Sequence, residues 1–290
     1  MKRTALVLGG KTGLVGQALC EVLAKNGWEV TASTRHDVDF AAQGVETALA
    51  NLVERTEPGC VFNTVGYTAV DKAEECPEEA SLLNVQVPAL LARVLRRFPC
   101  HLVHYSTDFA FNGKKRTPYL VEDEIGPLSV YGKTKLAGEQ ALLQAGLKGC
   151  CVVRTAWLFG PGKGNFVRTI LEKCKTNAEL KVVHDQIGSP TYTVDLATHS
   201  MQLVKAKAEG LFHVVNSGEA SWCELADEAV QLAGLPCAVQ PVPSSAYPQK
   251  AVRPAYSVLN TSAFTALTGV TPRPWPQALR DYVFREFLTE

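Results

Sequence analysis

Five short apolar runs, at residues 4–8, 29–33, 60–65, 101–106 and 151–155, alternate with longer helical patterns at 15–26, 44–56, 78–97 and 131–144. A strand that is apolar throughout must be covered on both faces, and a crossover helix returns the chain so that the next strand pairs in parallel. The alternation therefore predicts an α/β fold built on a doubly wound parallel (Rossmann-type) sheet. After Gly160 the rhythm loosens and Pro and Gly become frequent, while a helix over 193–207 and a strand over 210–216 predict a last unit returning to the sheet. The expected division is one domain over 1–158, completed by 190–218, and a smaller α/β domain made from 159–189 and 219–290.

With 290 residues the chain can bury a large core. Lys plus Arg and Asp plus Glu each number 29, for a net charge of +0, which excludes a broad field drawing the protein to nucleic acid or an anionic membrane. Met1-Lys2-Arg3 is followed only by a short apolar run before Gly9-Gly10, too short for a signal peptide or membrane span. The 9 cysteines form no C-x-x-C pair and no zinc-type spacing with histidine. They read as reduced, mostly buried thiols, and the expected location is cytoplasmic.

Between the first run and the first helix stands Gly10-Lys11-Thr12-Gly13-Leu14-Val15-Gly16. Glycines there permit a tight turn and close backbone approach, and the open amides of a helix N-terminus suit a pyrophosphate. Alone the pattern is weak, and its plain alternative is a structural glycine turn. The strand-turn-helix setting favours a dinucleotide. A P-loop is excluded, because Ala5 stands where its first glycine is required.

The second run leads into Thr34-Arg35-His36, without the acidic residue that commonly holds the adenosine 2′-hydroxyl in NAD enzymes. Arg35 is placed to face a 2′-phosphate instead, so NADPH is the expected cofactor and NADH the second candidate. The alternative is an ordinary surface arginine. Asp39-Phe40 follows where a carboxylate and an apolar neighbour can hold an adenine edge, and Asn63 in the third run joins the cofactor-binding set.

Tyr105-Ser106-Thr107-Asp108 closes the fourth run, and Tyr131-Gly132-Lys133-Thr134-Lys135 opens the helix after it. Tyr131 and Lys135 are four apart, so their side chains share a helix face. A phenol with a pKa of about 10 is a poor acid-base group at neutral pH, and a nearby ammonium is expected to lower it. Thr107, at a strand C-terminus where such sheets form their ligand crevice, is placed to offer a hydroxyl to a substrate carbonyl. A Tyr-Lys pair alone is common on helices and usually inert. Joined to the glycine turn and the Ser-Thr strand end, it points to hydride chemistry with Thr107, Tyr131 and Lys135 as the catalytic three and with Tyr131 and Lys135 also touching the cofactor.

These motifs resemble the extended short-chain dehydrogenases, and within them the dTDP-4-dehydrorhamnose reductases. The resemblance extends through Tyr67-Thr68-Ala69-Val70-Asp71, Phe111-Asn112-Gly113, Leu136-Ala137-Gly138-Glu139, Arg154-Thr155-Ala156-Trp157, Gly164-Asn165-Phe166, Asp185-Gln186-Ile187-Gly188-Ser189-Pro190-Thr191 and Arg253-Pro254-Ala255-Tyr256-Ser257. It implies NADPH-dependent reduction of the C4 keto group of a dTDP-linked 6-deoxy-4-ketohexose, dTDP-4-dehydro-L-rhamnose. It also places Asp108 and Trp157 beside the sugar or its phosphates, Arg253 on the diphosphate, and Asn84 as a fourth polar active-site residue. From the residues alone, Trp157 equally reads as core packing, Arg253 as a salt bridge in the smaller domain and Asn84 as a local hydrogen-bonding group.

The chain departs from the family pattern at Phe109, Ala110 and Asn112, which implies altered contacts to the sugar. Some relatives dimerise around a magnesium ion held by glutamates. Ala18 and Val194-Asp195 stand in the corresponding places, so no such metal site is expected and the oligomeric state stays open. Two rival readings remain. A sugar-nucleotide dehydratase would need a Glu where Phe109 stands, and an epimerase would need a second acid-base residue, for which His184 is the remaining candidate. A non-catalytic regulatory subunit on the same fold is the other.

Overall fold

The computed structural model describes residues 3–287. The apolar runs become strands β1 (Thr4–Leu8), β2 (Glu29–Ser33), β3 (Cys60–Asn63), β4 (His101–Thr107) and β5 (Cys150–Thr155). Further strands follow: β6 (Leu158–Phe159), β7 (Glu179–Val183), β8 (Ile187–Gly188), β9 (Thr191–Tyr192), β10 (Gly210–His213), β11 (Ala220–Ser221) and β12 (Ala238–Val242). The helices are α1 (Leu14–Lys25), α2 (Val45–Thr56), α3 (Val70–Glu75), α4 (Pro77–Ser81), α5 (Val87–Leu95), α6 (Val130–Gln144), α7 (Phe166–Cys174), α8 (Thr193–Lys205), α9 (Trp222–Leu232), α10 (Ser262–Thr268) and α11 (Trp275–Glu286).

The main sheet has the order β10-β5-β4-β3-β1-β2, with all pairs parallel. From β1 the chain crosses to β2 on one side, then returns to place β3 on the other side of β1, with Leu8 opposite both Ser33 and Asn63. That reversal opens a crevice beyond the strand C-termini, the usual ligand position in such sheets. Every residue of β3, β4 and β5 is buried. One face packs Val7, Phe62 and Val153 against Leu19 of α1 and Leu196 of α8. The other packs Leu6, Val61 and Leu102 against Leu52 of α2, Leu91 of α5 and Leu142 of α6. Each such side chain contributes about 1.5–3 kcal/mol of burial.

A separate hydrophobic cluster joins Val167 and Ile170 of α7, Leu225 and Val230 of α9, and Leu279 and Val283 of α11. There β12 pairs in parallel with β7, and β11 pairs antiparallel with β8. One segment goes elsewhere than its sequence position suggested: Phe264 of α10 joins the cluster beneath α1 and α8, so Ser262–Thr268 packs on the main sheet's side.

The expectation that every cysteine is a free thiol is corrected at one pair. Cys174, at the end of α7, and Cys237, just before β12, form a disulfide with Cα atoms 5.3 Å apart. Their sequence separation of 63 hides a proximity that only the packing of α7 beside the β7–β12 pair creates. The remaining cysteines are free.

The helical pattern over 78–97 is interrupted by a π-type turn, Leu82–Gln86. Pro88 explains it, because proline has no N–H to return to the Asn84 carbonyl four residues earlier. No helix among the described residues is long and apolar enough to cross a membrane.

Candidate active site

A cleft of about 850 Å³ lies at the switch point, lined by Thr12, Gly13, Leu14 and Val15 from the first turn, by Arg35, Asp39 and Phe40 after β2, and by Thr64, Val65 and Gly66 after β3. Gly13 stands just before helix α1 and has no side chain to cap it, so the helix's first amide groups stay open toward the cleft. Gly9, outside the motif as read from sequence, also lines the cleft and takes φ 78°, a conformation that favours glycine.

Gly10 and Gly16 serve packing rather than lining. A Cβ on Gly16 would stand 2.6 Å from the Gly9 carbonyl oxygen, and one on Gly10 would stand 2.9 Å from the Ala32 Cβ. Asn63 is likewise set behind the cleft: its amide meets His104 Nδ1 at 2.9 Å, and its Oδ1 accepts from Val65 N.

Arg35 is exposed and pairs with Asp39 at 3.2 Å, while the Ala41 backbone N–H, foremost, holds the Asp39 carboxyl below the usual range. Lys163 reaches the same cleft from the loop before α7. No sequence signal marked Lys163. The residues after β3, by contrast, follow from the switch-point rule.

The second group gathers where β4 ends and α6 begins. Ser129 caps α6 by accepting from Gly132 N at 3.1 Å, and Glu74 of α3 accepts from Val130 N at 2.8 Å, so the turn carrying Tyr131 is fixed from both sides. The Phe109 ring stands edge-on to Tyr131, with centroids 5.4 Å apart. Lys135 is 5% exposed and its Nζ donates to the Tyr105 carbonyl. A Cβ on cleft-lining Gly66 would lie 3.6 Å from that Nζ, so Lys135 lies directly behind the cleft wall.

Burial pushes the Tyr131 phenol up to about 12, against a downward pull from a hydrogen bond with Thr107 and a further upward push from Asp108. This corrects the expectation that Lys135 lowers the phenol: Lys135 donates to a carbonyl instead, and loss of water dominates. Burial brings the Lys135 ammonium down to about 8, with Glu139 opposing. Glu139 is held by Arg154 through Nε at 2.9 Å and a second hydrogen bond, a pair 2% exposed on both sides.

The other sequence candidates are placed as follows. Asp108 is 2% exposed, and its oxygens accept from Thr107 Oγ1 at 3.1 Å and Ser257 Oγ at 2.5 Å, so its carboxylate is engaged by protein rather than open to a sugar. Trp157 has φ 47°, rare for a bulky residue, and stacks on Trp222 with centroids 3.5 Å apart. Gly188 makes room for it, since a Cβ there would meet the indole at 2.4 Å.

Arg253 forks onto both oxygens of Asp71, at 3.2 and 2.8 Å. This ion pair joins the C-terminal segment to α3 across 182 positions. Asn84 is fully buried, accepting from Tyr67 N at 2.9 Å and donating to the Thr134 hydroxyl at 3.1 Å, so it ties the loop after β3 to α6. His184 is exposed. Asp195 pairs with Arg273 at 2.8 Å, and among the described residues no group of three or more His, Cys, Asp or Glu gathers.

The family described as the RmlD substrate binding domain matches residues 3–287. A dTDP-4-dehydrorhamnose reductase of Mycolicibacterium smegmatis is 40% identical over 283 residues, covering 96% of this chain and 84% of that protein. A probable dTDP-4,6-dihydroxy-2-methyloxan-3-one 4-ketoreductase of Streptomyces antibioticus is 41% identical over 280 residues, covering 95% and 93%. The crystal structure of dTDP-4-dehydrorhamnose reductase from Bacillus anthracis, in complex with NADP, superposes with a TM-score of 0.92 at 29% identity, covering 98% of this chain and 100% of that one.

Proposed function

The chain belongs to the RmlD substrate-binding-domain family, and on that premise we propose that it is an NADPH-dependent reductase converting the C4 ketone of dTDP-4-dehydro-L-rhamnose to the alcohol. What supports this reading is that Lys135, one helical turn beyond Tyr131, has its Nζ directly behind cleft-lining Gly66, next to a first turn whose open amides suit a dinucleotide.

The residues fit the cofactor. A Cβ at Gly13 would stand 3.2 Å from the Gly9 carbonyl oxygen, and the uncapped first turn of α1 offers N–H groups to a diphosphate. Arg35 would meet the 2′-phosphate, and Asp39 and Phe40 the adenine edge. NADPH, when bound, supplies the hydride.

Tyr131, protonated across the neutral range, gives its phenolic proton to the carbonyl oxygen as negative charge develops there. Solvent then restores the phenol. Lys135, cationic at neutral pH and 5% exposed, adds positive potential beside that oxygen in a site with little water. Trp157, locked on Trp222, presents an apolar face to the sugar.

On this reading 1–158, completed by 190–218, holds the dinucleotide, and 159–189 with 219–290 holds the sugar nucleotide, apart from the Ser262–Thr268 helix on the sheet side. Location in the cytoplasm agrees with a soluble substrate and cofactor. The experiment is stoichiometric NADPH oxidation with dTDP-4-dehydro-L-rhamnose, with identification of the sugar formed. Cofactor-neutral turnover would point to an epimerase, and no turnover to a binding protein. Tyr131→Phe should lose at least about a hundredfold in kcat, the usual scale for a general acid.

A further inference from the structure

The loop over residues 160–165, between β6 and α7, is fixed at its base and at its apex. At the base, Asn165 caps α7 by accepting from Arg168 N at 3.1 Å, and its amide donates to the Gly160 carbonyl at 2.9 Å and to the Tyr282 hydroxyl at 3.0 Å. At the apex, Gly162 takes φ 94° and lies so close to Gln17 Oε1 of α1 that a Cβ has no room between them. Gln17 in turn donates to the Lys11 carbonyl at 2.9 Å, inside the glycine turn. The loop is thus clasped to α1 beside its first turn, and the next residue, Lys163, lines the cleft.

Charge decides what Lys163 can do there. Arg35 and Lys163 are the cations that line the cleft, and Asp39 and Glu79 are the carboxylates. Arg35 and Asp39 pair with each other at 3.2 Å. Among the described residues, no hydrogen bond or ion pair engages the exposed Lys163 ammonium. The first turn of α1 carries no acidic side chain to compete for it. An ammonium beside the open amides of a helix N-terminus reinforces the positive end of the helix dipole, and the group that suits both is a phosphate anion.

We infer that Lys163 is a cofactor-binding residue, carried by a loop clasped to α1, whose ammonium completes the diphosphate site begun by the glycine turn. This rests on the dinucleotide part of the reductase reading and adds to it a ligand from a distant stretch of the chain. The diphosphate is assigned rather than the 2′-phosphate because Gly162 is seated on Gln17 and, through it, on the turn at Lys11. Arg35, the candidate for the 2′-phosphate, follows β2 instead.

The fluorescence of the reduced nicotinamide reads binding directly, with no sugar present. At low salt, Lys163→Ala should raise the Kd for NADPH and for NADH alike, roughly tenfold, the weak end of a charge-assisted hydrogen bond. The effect should shrink as added salt screens it. Lys163→Arg should restore most of the affinity, and the Tm of the cofactor-free protein should stay unchanged. A rise for NADPH alone would move the lysine to the 2′-phosphate and overturn the assignment. An unchanged Kd for both cofactors would remove Lys163 from the site.

Gly162→Ala tests the loop rather than the charge. An alanine at φ 94° is strained whatever room it finds, so the apex must leave Gln17 while Lys163 stays in the chain. The Kd for both cofactors should again rise. Gly162→Ala combined with Lys163→Ala should bind no worse than Lys163→Ala alone, since both changes remove the same contact. Full additivity of the two losses would show that the loop does not act through Lys163 and would refute the clasp. If wild type binds NADPH but leaves the keto sugar unreduced, the reductase reading fails while the diphosphate site stands.

Discussion

The carbonyl oxygen of Asn84 lies 1.8 Å from where a Cβ on Gly138 would stand, so the π-type turn and helix α6 touch backbone to backbone. Pro88 sets this up by leaving that carbonyl without its helical partner, and the same turn aims the Asn84 side chain at Tyr67 and Thr134. Asn84 thus acts on the site by joining the cleft wall to the helix that carries Tyr131 and Lys135.

Gly138→Ala tests this joint. The clash is with backbone rather than with a flexible side chain, so the turn must move. Overpacking of this kind costs about 1–3 kcal/mol, and a chain of this size loses about 2–4 °C of Tm per kcal/mol. The displaced Asn84 should also release Thr134 and lower kcat. A variant with wild-type Tm by calorimetry would show that the helix yields without strain.

Arg35 has a side chain 79% exposed, and its pair with Asp39 is open to solvent. Such a pair adds little to stability, which leaves the guanidinium free to turn to a 2′-phosphate. Arg35→Ala should raise the KM for NADPH roughly tenfold, the equivalent of about 1.4 kcal/mol, and leave the KM for NADH and the Tm nearly unchanged. Equal increases for both cofactors would assign Arg35 to the shared diphosphate, and no increase for either would remove it from the cofactor site.

Local signals carried most of the fold. Each apolar run closed by glycine or polar residues became a strand, and the spacing of Tyr131 and Lys135 placed them on one face of α6 because a helix was certain there. What escaped the sequence depends on segments far apart in the chain. Cys174 meets Cys237 through the packing of α7 beside the β7–β12 pair. Arg253 reads as a phosphate ligand by its chemistry, yet it forks onto Asp71 across 182 positions. Ser257 carries no pattern of its own and reaches Asp108 across 149 positions, where Gly113 lets Pro254 and Ala255 pass close by. The phenol of Tyr131 shows a related gap: a neighbouring lysine is legible in a sequence, but the carbonyl that lysine donates to is not.

The buried histidines set the acid limit of the fold. His104 and His213 are fully buried, His101 and His199 nearly so, and in all four the imidazole is driven below its usual value, foremost by burial. In His213 the value falls to about 3, with the Arg154 charge adding to the effect. A base lowered on folding binds its proton only in the unfolded chain between the two values. Its share of stability is therefore intact above about 6.5 and is lost as pH falls toward about 3, at about 1.4 kcal/mol per pH unit. Asp108 works in the opposite sense, since a carboxyl raised to about 6 costs the fold stability above its usual range and relieves that cost on acidification. One carboxyl against four imidazoles leaves a net loss, so the urea midpoint should fall clearly between pH 7 and pH 5. His213→Asn, whose amide can still donate to the Tyr119 carbonyl in place of Nδ1, should flatten that fall by about one proton's share. A midpoint that is the same at both pH values, or an unchanged slope in the variant, would mean that these imidazoles take up their protons without unfolding the chain.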